Sequence, residues 1–157
     1  MIPEGFVEIT ADNSHCKIAQ KIIYSVLHEY DLSQYTHSTD TDLDDIVKAY
    51  TNGYFGMIKN DSGRYVGTFG LFQLSETTCE IRKMYLLPEA RRNGLGKWMV
   101  NTLLEKAKEL GYKKVELETA SVLTEANGLY RKIGFTEITA SNTTPRCDKA
   151  FEMHIGE

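Results

Sequence analysis

The sequence predicts an α/β chain of the α+β kind, a mixed sheet of six to seven strands with an antiparallel N-terminal meander and about four helices. Three observations carry that prediction. Between Tyr54 and Leu87 three strand-forming runs follow one another, separated only by Asn60-Asp61-Ser62-Gly63 and by Ser75 to Thr78, as in consecutive hairpins. From Gly94 to Leu110 the apolar positions switch to helical spacing and a further strand follows at once, so a helix joins two strands that lie parallel. Ahead of the meander stands a helix pair around a polar loop, not a repeated strand-helix unit.

Each element has a local cause. Phe6 to Thr10 alternates apolar and polar residues, a first strand. Asp12, Asn13 or Ser14 caps a helix in which Ile18, Ile22 and Val26 recur beside Ala19, Ile23 and Leu27, through to about Tyr30. Asp31 to Asp40 is polar, and Thr41-Asp42-Leu43-Asp44-Asp45 opens a second short helix with carboxylates in its first turn. Within the meander, Gly67 and Gly70 weaken the strand Arg64 to Leu74 and mark a bulge or a close backbone contact. Leu95, Trp98, Met99, Leu103, Ala107 and Leu110 form the apolar stripe of the next helix, and Gly111 stops it. Lys113 to Thr119 is a fifth strand, Thr124 to Ile133 a helix burying Ala126, Leu129, Tyr130 and Ile133, and Gly134 closes it. Phe135 to Thr139 and Lys149 to Ile155 are the sixth and seventh strands.

A chain of 157 residues suits one domain, 1–157, with a single substantial core. The net charge of -4 argues against non-specific affinity for nucleic acid or an anionic membrane, so the basic residues act locally. Met1-Ile2-Pro3-Glu4 has neither the basic nor the apolar region of a signal peptide, and no later apolar run reaches the roughly 20 residues of a membrane span. A cytoplasmic protein is expected. Cys16, Cys79 and Cys147 form no C-x-x-C, and His15, His28, His37 and His154 show no i, i+4 spacing; neither a disulfide framework nor a metal site is expected.

The chemistry concentrates at Arg91-Arg92-Asn93-Gly94-Leu95-Gly96-Lys97, where a strand ends and a helix begins. Free backbone N–H groups and the positive end of the helix dipole converge there, which suits a phosphate. Arg91, Arg92 and Lys97 add positive charge that the dipole would oppose unless an anion binds. It is not a Walker loop, because Trp98 follows Lys97 and Glu89 stands where its first glycine belongs. The dinucleotide fingerprint fails too: Met99 occupies the third glycine position, and the entering strand comes from a meander.

These residues, together with a second block, resemble the GNAT superfamily of acyl-CoA-dependent N-acyltransferases. The family's pyrophosphate loop, Q/R-x-x-G-x-G/A, is matched by Arg91 to Gly96, and Arg82 to Ala90 resembles its fourth strand and exit. Ala126 to Phe135 is similar to its A-x-x-L/F-Y-x-x-x-G-F. The resemblance implies a GNAT fold whose central parallel strands 4 and 5 splay apart, with acetyl-CoA as co-substrate, its pantetheine arm in the gap, and no metal. It implies acetyl transfer to a primary amine, of a small molecule more than of a protein, by direct attack in a ternary complex. A protein N-acetyltransferase and a non-catalytic acyl-CoA sensing module are the alternatives, and a homodimer is compatible with the family.

By the same resemblance, Met84, Tyr85 and Leu86 offer backbone groups to the pantetheine arm. Arg91, Arg92, Asn93, Gly94, Leu95, Gly96 and Lys97 hold the pyrophosphate, although Lys97 can equally turn to solvent. Tyr130 matches the tyrosine near the CoA sulfur and is the candidate general acid. Glu80, taken to share a strand face with Arg82 and Met84, is either a base acting through water or a glutamate paired with a neighbouring cation. Where the family often carries an asparagine before the tyrosine this chain has Leu123, which leaves Asn127 as the substitute. Cys79 as an acyl-enzyme nucleophile lacks a histidine at a defined distance. Tyr30, Tyr35 and His37 are either surface and partial core or a wall of the acceptor pocket. Carboxylates at Glu29, Asp31, Asp40, Asp42, Asp44 and Asp45 either favour a cationic acceptor or simply solvate helices.

Overall fold

The computed structural model describes residues 1–32, 40–139 and 147–156; Tyr35 and His37 lie outside them. Within the described residues seven strands form one sheet: β1 (Phe6–Thr10), β2 (Tyr54–Asn60), β3 (Tyr65–Gln73), β4 (Thr78–Leu86), β5 (Lys114–Thr119), β6 (Thr136–Ile138) and β7 (Lys149–His154). Their order is β1-β2-β3-β4-β5-β7-β6, with β4 and β5 parallel and the other pairs antiparallel. The meander and the parallel crossover are as expected. The insertion of β7 between β5 and β6 follows from pairing that strand periodicity does not encode.

Among the described residues four α-helices flank the sheet: α1 (Cys16–Glu29), α2 (Ile46–Ala49), α3 (Leu95–Glu109) and α4 (Thr124–Ile133). Asp12 starts the first, accepting from Ser14 N at 2.8 Å ahead of a short 3-10 turn. The expected second helix splits into a 3-10 turn over Thr41–Asp44 and the single turn α2, which Asp45 caps by accepting from Lys48 N at 3.1 Å. Gly111 stops α3 with φ 88°, a conformation that glycine adopts without Cβ strain. Leu110, expected in the apolar stripe, is 50% exposed, because the stripe ends one turn earlier at Ala107.

Register separates two faces. Phe55 pairs with Gly70 and Phe72 with Glu80, so these residues share one face; Tyr50, just beyond α2, meets Phe55 at 4.9 Å and Phe72 at 5.7 Å there, edge to face. The opposite face carries Phe69, which meets Trp98 of α3 at 5.9 Å. The core between sheet and helices is continuous, and Phe69, Phe151, Met57 and Met99 in it are wholly buried.

Candidate active site

The site begins with a defect in β4. Opposite β3, Thr68 pairs with Tyr85 and Gly70 with Arg82, so Phe69 alone faces the two residues Lys83 and Met84. This is a β-bulge, and Lys83 sits in it with φ 56°. The buried Thr68 Oγ1 donates to Lys83 O at 2.6 Å and holds it. Gly67 and Gly70 flank the bulge on the facing strand, and a Cβ on Gly70 would lie 3.1 Å from Arg82 O.

The extra residue inverts the side-chain alternation. Glu80 and Arg82 stay on the face of Phe72, whereas Met84 and Leu86 turn to the other face, where a Cβ on Gly67 would meet Leu86 Cδ2. The expectation that Glu80 and Met84 share a face is therefore corrected: the bulge intervenes. Pairing between β4 and β5 stops at Ile81 with Leu117, and beyond it the strands splay. A cavity of about 730 Å³ opens in the gap, lined by Arg82 to Tyr85 on one side and Leu117 to Ala120 on the other, with Tyr130 at its wall.

Tyr130 projects from α4 into this gap. It is 5% exposed, braced by Phe135 and Phe151 at 5.8 and 5.9 Å, and its hydroxyl faces Met84 Sδ at 3.8 Å. Burial, reinforced by Tyr85, pushes the phenol well above its ordinary pKa, so it stays protonated. On the other face Glu80 accepts from Arg82 Nε, and the Arg82 guanidinium lies 3.6 Å from the Phe72 ring centroid. Glu118, the first outward residue of β5 past the last rung, has no hydrogen-bond partner among the described residues. Although its side chain reaches solvent, desolvation by the strands and then the charge of Glu80 raise its carboxyl above the usual range.

At the far end of β4 lies the glycine loop. Arg92 has φ 66° and Gly94 φ 83°, and Asn93 Oδ1 accepts from Leu95 N at 3.2 Å, so the loop turns tightly into α3. A Cβ on Gly94 would meet nothing within 4 Å, so this glycine serves backbone conformation instead of close packing. Lys97 is exposed, and Arg92, also exposed, reaches Glu125 at 3.4 Å. Arg91 is differently occupied. Its guanidinium grips Glu29 through both terminal nitrogens at 2.7 and 2.8 Å, and its Nε donates to Leu86 O at 3.0 Å. Glu29 and Tyr30 therefore brace the loop from α1.

Comparison with known proteins places this geometry. The model of the acetyltransferase (GNAT) family matches residues 21–135. The chain belongs to the GNAT family. It is 35% identical over 125 residues to the uncharacterized N-acetyltransferase YjgM of Escherichia coli (strain K12), covering 75% of this chain and 74% of that protein. Its fold is that of a GNAT acetyltransferase from Staphylococcus aureus, with a TM-score of 0.86 at 22% identity over 95% of this chain and 98% of the other. The structure of yncA from Salmonella typhimurium with its cofactor acetyl-CoA superposes with a TM-score of 0.77 at 16% identity, covering 98% and 96% of the two chains. The chain is accordingly an acyltransferase. No helix among its described residues is long and apolar enough to cross a membrane.

Several features of this GNAT site escape the motifs. Asn127 is 2% exposed; its Nδ2 donates to Ala120 O at 3.1 Å, while its Oδ1 is buried with no partner among the described residues. Lys83 is buried between Asp40 and Asp42, its Nζ 3.0 and 3.3 Å from their carboxylates, and Tyr50 donates to Asp42 at 2.5 Å. The motifs give Lys83 no role of its own and do not reach Glu118; the outward alternation of β5 was the only signal for Glu118. Cys79 points into the core, fully buried, and burial pushes its thiol up to about 12. No thiolate forms there at neutral pH. Cys79→Ala is expected to keep kcat within about threefold of wild type and to lose about 1 kcal/mol of stability through the small cavity it leaves; a loss of turnover with normal folding would reinstate the nucleophile.

Proposed function

We propose that this GNAT protein moves an acetyl group from acetyl-CoA to the primary amine of a small molecule, by direct attack within a ternary complex. The observation that carries the reading is the splay of β4 from β5 beyond Ile81, which opens the cavity with Tyr130 at its wall; next to it Asn127, tied to Ala120 O, keeps a buried Oδ1 with no partner among the described residues. A buried acceptor without a donor costs about 1–3 kcal/mol, and an amide N–H of a pantetheine arm supplies what it lacks. The loop from Arg92 to Lys97 suits the pyrophosphate by its N–H groups and its exposed cations, with Arg91 acting mainly as the brace of that loop. The backbone of Met84 to Leu86 faces a gap without a β5 partner, although Leu86 O is already held by Arg91. Acetyl-CoA supplies the activated thioester.

In the chemical step the amine nitrogen bonds to the acetyl carbon and the carbon–sulfur bond breaks. A backbone N–H near Met84 stabilises the developing oxyanion, and Tyr130 donates its proton to the departing thiolate. The amine's proton leaves on the other face. Glu80 is engaged with Arg82, whereas Glu118 has no hydrogen-bond or ion-pair partner among the described residues, so Glu118 receives the proton directly or through water and Glu80 keeps Arg82 in place.

Acetyl-CoA incubated with a panel of small amines is expected to release free thiol. Thermal protection by CoA with no release from any amine would favour a sensing module. Asn127→Leu, which removes the orphaned acceptor, is expected to raise KM for acetyl-CoA about tenfold with kcat nearly kept; an unchanged KM would remove Asn127 from the cofactor site.

A further inference from the structure

The cavity walls hold more charges than are free to meet a ligand. Among the described residues four carboxylates line it: Asp42, Asp45, Glu80 and Glu118. Asp42 is taken by Lys83 and Tyr50, Asp45 accepts from Asn13 Nδ2 at 2.9 Å and from Lys48 N at 3.1 Å, and Glu80 is bound to Arg82. Only Glu118, among the described residues, is left without a partner. Of the lining cations, Lys83 is enclosed by Asp40 and Asp42. Lys48 on the rim forms no ion pair among the described residues.

Arg82 is the informative one. Its Nε is used by Glu80 and its plane is fixed on Phe72, yet both terminal nitrogens lack a protein acceptor among the described residues, and the side chain is 31% exposed at the cavity wall. An arginine fork held flat, with its two outer donors free, matches the two oxygens of a carboxylate. The carboxylates around the mouth first suggest a cationic acceptor. Once the engaged groups are set aside, the described lining offers one unpaired anion, Glu118, one cation outside any ion pair, Lys48, and the two outer donors of the Arg82 that Glu80 holds.

Resting on the acetyl-transfer reading above, we infer that the acceptor is an amino-acid-like zwitterion. Its carboxylate docks on the terminal nitrogens of Arg82, with Lys48 adding attraction at the rim, and its amine lies toward Glu118 and the splay. The bulge at Lys83 interrupts the regular strand immediately after Arg82, so Arg82 is the last residue of β4 before the bulge on the face of Phe72. Glu80 prevents the guanidinium from swinging off the ring.

The test compares free amino acids, the matching amino-acid amides and the matching decarboxylated amines, by thiol release from acetyl-CoA. The amino acids are expected to exceed their amides at least tenfold in kcat/KM. In Arg82→Met that ratio falls to near one, through a rise in KM for the amino acids. Phe72→Leu, which keeps every charge and loosens only the platform, is expected to shift the ratio in the same direction by a smaller factor. Equal or better use of amides or decarboxylated amines by the wild type overturns this inference and leaves acetyl transfer intact. If no acceptor releases thiol, the transfer reading fails, and thermal shift of the CoA complex still decides this one: stabilisation by amino acids over their amides, lost in Arg82→Met, supports the fork, and equal stabilisation refutes it.

Discussion

Tyr130→Phe is expected to lower kcat by about two orders of magnitude or more while KM for acetyl-CoA and the melting temperature stay close to wild type. The substitution removes one oxygen and keeps the ring that packs on Phe135 and Phe151. The hydroxyl's partner in the described structure is the Met84 sulfur at 3.8 Å, a weak contact, so little folding energy is lost. What disappears is the proposed proton donor, a phenol that its buried site keeps protonated across the neutral range. For the same reason the wild-type rate shows no decline near neutral pH from ionisation of Tyr130. A mutant with more than a tenth of the wild-type kcat would assign protonation of the thiolate to another group or to water.

Lys83→Met is expected to destabilise the fold by about 3–5 kcal/mol in denaturant unfolding. It leaves Asp40 and Asp42, 0% and 8% exposed, without the cation they share. For a chain of this size the melting temperature drops by roughly 6–20 °C. Lys83→Arg, which keeps the charge in a larger head group, is expected to recover part of the loss. A change below about 1 kcal/mol for Lys83→Met would mean that water or local rearrangement compensates the carboxylates.

Much of the fold was legible because its determinants are local. The alternation in Lys114–Thr119, the apolar stripe of Leu95–Glu109 and the glycine at 111 each act within a few residues, and their elements stand where the spacing puts them. The bulge was only half legible. Gly67 and Gly70 signalled an irregularity, but the irregular residue is Lys83 on the facing strand, stabilised by a side-chain hydrogen bond and an ion cluster that bring residues 40, 42, 68 and 83 together. That non-local cause is why Met84 faces away from Glu80.

The candidate site divides the same way. Tyr130 and the loop glycines were singled out as candidates by motif. The bracing of Arg91 by Glu29 was invisible because the two are 62 residues apart, and Arg82 and Glu118 gain meaning only once the splay shows which charges remain free. Asn127 stood out of register with the family pattern, and it is the unsatisfied oxygen, not the spacing, that supports its role.

Residue 83 also sets two design rules against each other. A left-handed backbone at φ 56° favours glycine, and an L-residue there forgoes about 1–2 kcal/mol. Enclosure by two buried carboxylates demands a cation worth about 3–5 kcal/mol. The larger sum wins, so the position tolerates neither the residue its backbone would choose nor an uncharged residue of its own length. Random mutagenesis should leave it almost immutable, although it need never touch a substrate.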